Sequence, residues 1–67
     1  MQVNEEQVAV LVSADGTLGE FLAQVYTANA ATLAAALRQL RALRYRGFEC
    51  AVIINRLRQI KQQERVA

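Results

Sequence analysis

Sixty-seven residues suffice for one small domain, near the lower limit of what a core can stabilise without a metal, disulfides or a partner. With one cysteine and no histidine, an internal disulfide and a credible metal-ligand set are excluded. The net charge of +2 is unevenly placed: four acids and no base precede Arg38, and eight bases accompany two acids from Arg38 onward. Such a polarised chain suits nucleic acid, an acidic protein partner or head-to-tail contact between copies, set against ordinary solvated helix faces.

The start, MQVNEEQ, is polar and acidic, which predicts no signal peptide. No apolar run approaches the roughly 18 to 20 residues that span a bilayer, so a cytoplasmic protein without membrane contact is expected, in keeping with a lone thiol. Asn4 and Gln7 have the spacing of an N-cap with a reciprocal partner, predicting a first helix over about 5–13 with Val8, Leu11 and Val12 inward. A strand competes for V-A-V-L-V ahead of the Asp15-Gly16 turn pair, but no second strand of matching pattern follows. Ser13 to Thr17 reads as a loop, and Thr17 with Glu20 repeats the capping spacing, so a second helix begins at Leu18.

Ala30 to Gly47 is the strongest helical stretch, rich in alanine, leucine and arginine, free of proline, with Gly47 placed as a left-handed cap. Leu18, Leu22, Val25, Asn29, Leu33, Ala36, Leu40 and Leu43 step by four or three, so the apolar stripe keeps its phase and predicts one helix over about 18–45. Asn29 would then be a polar residue on the packed seam that fixes register; the alternative makes it the cap of a separate helix. After Gly47, Cys50, Ile53, Ile54, Leu57 and Ile60 share one face of a helix over about 49–63, with Phe48 and Val52 off that face. The predicted fold class is all-α: one domain over 1–67, a short N-terminal helix and then a long antiparallel αα-hairpin closed at Arg46-Gly47-Phe48. The chain is 54% hydrophobic with mean hydropathy +0.10, so part of its apolar surface is expected to be covered by a partner, making it oligomeric or partner-bound.

Enzymatic function is not expected. There is no histidine to activate Cys50 and no glycine-rich phosphate loop, and the carboxylates Asp15 and Glu20 are accounted for by a turn and a cap. No cofactor, metal or small-molecule substrate is implied.

Two resemblances bear on function. Ala14-Asp15-Gly16-Thr17, the AAALRQ run Ala34 to Gln39, and Arg46-Gly47 follow in an order similar to the small helical-hairpin co-chaperones of type III secretion needle subunits. That resemblance implies a non-enzymatic adaptor or regulator that stabilises a protein partner through an apolar hairpin face, for which Leu18, Leu22, Val25, Phe48, Val52, Ile53 and Leu57 are the candidate contacts. Separately, Gly19 to Leu40 resembles a bacterial helix-turn-helix, with Leu22-Ala23 in the supporting helix, Tyr26 and Ala28 about the turn, and Leu33 and Ala36 inside the recognition helix. Thr27 stands where that motif usually has glycine. The second resemblance implies nucleic-acid binding through Asn29 and Arg38, with Arg41, Arg44 and Arg46 on phosphates. The alanines between them would supply no hydrogen-bond readout of bases.

Overall fold

The computed structural model describes residues 2–13, 16–44 and 47–66. Among them the chain forms four helices and no strand: α1 (Glu5–Val12), α2 (Leu18–Thr27), α3 (Ala30–Ala42) and α4 (Phe48–Val66). The V-A-V-L-V run is therefore helical, and Asp15 and Arg46, with the turns assigned to them, lie outside the described residues.

Side-chain caps set three of the helix starts. Asn4 accepts the Gln7 N–H at 3.1 Å, Thr17 accepts the Glu20 N–H at 3.2 Å, and Asn29 accepts the Thr32 N–H at 2.8 Å. Each satisfies a first-turn N–H that the helix cannot bond itself. Glu5 and Glu6 also sit in the first turn of α1, where the helix dipole favours negative charge.

The expected helix over 18–45 is two helices. Ala28 and Asn29 are both extended, with ψ of 146° and 169°, and interrupt the backbone ladder between α2 and α3. The stripe keeps its phase across this break because both helices turn an apolar face to the same core. A one-turn hydrophobic step therefore cannot distinguish a bend from a straight continuation. Asn29 is a cap, and its alternative role on a packed seam is overturned.

Each helix packs mainly on two others: α1 on α2 and α3, and α4 on α2 and α3. Although only two residues separate α2 from α3, they are not one of these principal pairs. Between the four helices lie Val8, Leu11, Phe21, Val25, Ala28, Leu33, Ala36, Leu40, Cys50 and Ile53, all buried. Three inward expectations change: Phe21 takes the α2 core position instead of Leu18, Leu22 is only half-buried, and Leu43 is 68% exposed.

The end of α3 also differs. The helix stops at Ala42, and the left-handed residue is Arg44, with φ 60°, while no described glycine has positive φ. Gly47 is thus not the cap, and the break comes three residues earlier than the glycine suggested. At the other extreme, α4 begins at Phe48 and runs to Val66, longer than expected at both ends.

Thr32 is the buried polar residue of the core, and its hydroxyl accepts the Asn4 N–H at 2.9 Å. In a capping box Gln7 would reach back to that N–H. Instead the Gln7 amide crosses to α2, donating to Gln24 Oε1 at 3.1 Å and Thr27 Oγ1 at 3.2 Å. The local box is opened, and both of its halves serve to hold α1 onto its neighbours.

Candidate interaction surfaces

The residues expected to meet a protein partner do not form one surface. Val25 and Ile53 are fully buried in the chain's own core, so they are corrected from contact residues to core residues. Leu22, Val52 and Leu57 are half-buried and pack against that core. Leu18 and Phe48 remain open, at 57% and 56% exposure. Val10, Leu18 and Phe21 line, with Ser13, Thr17, Glu20 and Glu49, a depression where the end of α1 meets the starts of α2 and α4. Val10, also exposed, adds an apolar side chain to its edge that was not anticipated. Its signal was hidden because Val10 points away from Val8 and Leu11 on a helix of only two turns.

The residues expected at nucleic acid divide differently. Asn29 is engaged on both atoms of its amide: its Oδ1 caps α3, and its Nδ2 donates to the Gln2 carbonyl at 2.9 Å. These two bonds fix its orientation and leave one N–H and one oxygen lone pair. Ala30, Ala31, Ala34 and Ala35 are half-buried, and Ala23, which the helix-turn-helix resemblance puts beneath the recognition helix, is exposed. Arg38, Arg41 and Arg44 are exposed, and none has an acceptor among the described residues. Arg46 lies outside the described residues.

On α4 the cations separate into two roles. Arg56 turns toward α2, its guanidinium over the Tyr26 ring at 5.1 Å from the centroid, an arrangement that favours the cation electrostatically. It donates to the Tyr26 carbonyl at 3.5 Å and to Gln59 Oε1 at 3.4 Å, both long, while its Nε is buried without a hydrogen-bond partner. Arg56 thus acts as a clasp between α2 and α4. Arg58 and Lys61 are exposed and make no ion pair or hydrogen bond among the described residues.

Chain polarity becomes spatial polarity through the packing. The exposed acids Glu5, Glu6 and Glu20 belong to α1 and α2, which pack together, and the unpaired cations belong to α3 and α4, which pack together. Among the described residues no group of three acidic or cysteine side chains is placed to hold a metal ion, and no helix is long and apolar enough to cross a membrane. Compared with known proteins, the chain matches no family model, no curated protein and no solved structure.

Proposed function

We propose that this chain is a small, non-enzymatic helical interaction module that joins a protein partner, a second copy in the simplest case, through its apolar end. The observation that carries this reading is the exposure of Val10 and Leu18 at one depression where α1, α2 and α4 meet, with Phe48 exposed at the start of α4. Isolated surface leucines need no explanation, but an apolar edge to a concavity is the form an anchoring contact takes. In this reading α3 and α4 form an antiparallel hairpin shorter than the one between helices 18–45 and 49–63 that the sequence suggested. The contact surface lies at the end of the helices instead of along the hairpin face, because Val25 and Ile53 are spent on the core. We assign the module to the cytoplasm on its lone thiol, and no cofactor is required for this role.

Light scattering across a concentration series tests the proposal. The wild-type chain should give the mass of a dimer at high concentration, and Leu18→Glu with Phe48→Glu should give a monomer with an unchanged melting curve. A wild-type monomer at every concentration overturns self-association through this end.

The helix-turn-helix form of the nucleic-acid reading has its base-reading asparagine held in a cap. What the geometry favours for nucleic acid is contact with phosphates.

A further inference from the structure

We infer that the exposed seam between α3 and α4 binds the phosphate backbone of a nucleic-acid duplex without reading its sequence. The proposal is independent of the apolar end and uses different residues. It rests on where five unpaired cations fall around two adjacent helices.

Their orientation follows from contacts already fixed. On α3, Thr32 faces α1, since it accepts the Asn4 N–H. At about 100° per residue, Arg41 lies about 180° round from Thr32 and Arg38 about 240°. Both therefore sit away from α1, Arg41 nearer the edge toward α4 and Arg38 outermost, opposite the buried Leu33, Ala36 and Leu40. On α4, Arg56 faces α2 through Tyr26, and Ile53 faces the core. Lys61 lies about 140° round from Arg56 and Arg58 about 200°, past the core face. That is the edge of α4 turned toward α3. The two basic edges consequently flank the same seam.

Two further observations favour a phosphate backbone. Arg44, just beyond α3 with φ 60°, is exposed and adds a fifth cation at the end of the basic edge. Acids are largely kept off it: Glu49 faces the depression against α2, and Glu64 lies beyond Lys61 toward the end of α4. A second copy's acidic side is a poorer match. Glu5 and Glu6 stand at the start of α1, whereas Glu20 is at the start of α2, whose Leu18 borders the end of α1, so the carboxylates are split between two ends. A duplex offers an unbroken row of charge. Alanine and arginine at such a surface give affinity with little discrimination among bases.

The test is fluorescence anisotropy of the full chain with a labelled duplex DNA, a scrambled duplex and a duplex RNA, over a salt series. If all five cations each neutralise a phosphate of B-DNA, the log–log salt slope is about −4.5, and affinity falls about 500-fold between about 50 and 200 mM salt. Scrambling should leave affinity unchanged. Arg38→Gln with Arg41→Gln, and separately Arg58→Gln with Lys61→Gln, should each flatten the slope by about 1.8 while leaving circular dichroism unchanged. These side chains are exposed, so neither pair threatens the fold. Binding to RNA with the same losses would support the shared phosphate chemistry. Absence of binding at the lowest salt, an unaltered slope in either variant, or strong preference between the scrambled duplexes would overturn the proposal. So would loss of dimer mass in the glutamine variants without loss of DNA binding, which would give the seam to a second copy.

Discussion

Asn29, Thr32 and Arg44 show how single side chains decide this fold's connections. Asn29 uses its oxygen to start α3 and its nitrogen to hold the Gln2 carbonyl. Asn29→Leu removes both and exposes an apolar side chain in their place. It should destabilise the chain by about 1 to 2 kcal/mol in urea unfolding; a gain in stability would restore the continuous helix. Thr32→Val keeps the shape of a fully buried side chain but leaves the Asn4 N–H without an acceptor. The expected cost is about 1 to 3 kcal/mol, read from the same unfolding curves. At Arg44 the sign reverses. Glycine at φ 60° relieves the crowding of a left-handed arginine, so Arg44→Gly should raise stability by about 0.5 to 1 kcal/mol while weakening duplex binding. A variant that is more stable and binds as tightly as the wild type would show that Arg44 has no such use.

At the scale of the elements, two caps were legible and the break, with the third, was not. Asn4 and Thr17 each stand three residues before the N–H they accept, a spacing that sequence displays directly, whereas Asn29 has the same relation to Thr32 but was placed on a continuous seam. The division between α2 and α3 was masked because Ala28 is apolar and buried, which lets the stripe pass through a non-helical residue. The end of α3 was misplaced for a related reason: Gly47 advertised a cap, but the turn is made by Arg44, a residue type that gives no such signal. Core positions on α3 were read more securely, since Leu33, Ala36 and Leu40 repeat over three turns. Leu33→Ala and Leu40→Ala should each cost about 2 to 5 kcal/mol in thermal or urea unfolding, because neither cavity can collapse between two packed neighbours. On α2 the predicted stripe held at Val25 and in part at Leu22, and failed at Leu18, whose place in the core Phe21 takes.

For the molecule as a whole, the charge imbalance was visible in the sequence, but its meaning required the packing order. A chain acidic in its first half and basic in its second could fold with the two interleaved. Here α1 pairs with α2 and α3 with α4, so the imbalance survives as two sides of one body. Arg58 and Lys61 were passed over because their spacing alone resembles any solvated helix face; only the positions of Arg56 and Ile53 show which way they turn. The apolar surplus that suggested a partner was partly resolved within the chain, through Val25 and Ile53, and what remains exposed includes Val10 and Leu18 at one depression, with Val3, Tyr26, Leu43 and Phe48 besides. Association through the apolar end and duplex binding along the seam are separable, and the Leu18 and Arg38 variants should each lose one property and keep the other.

The bonds from the start of the chain to α3 have a corollary for the extent of the folded unit. Gln2 and Asn4 supply the partners of Asn29 and Thr32 through backbone atoms, which any residue except a proline at position 4 could provide, so these clasps depend on the chain being present and not on which side chains it carries. Removing residues 1–4 would undo both clasps and the cap of α1 in one step, so the segment ahead of α1 belongs to the folded unit although it forms no helix of its own.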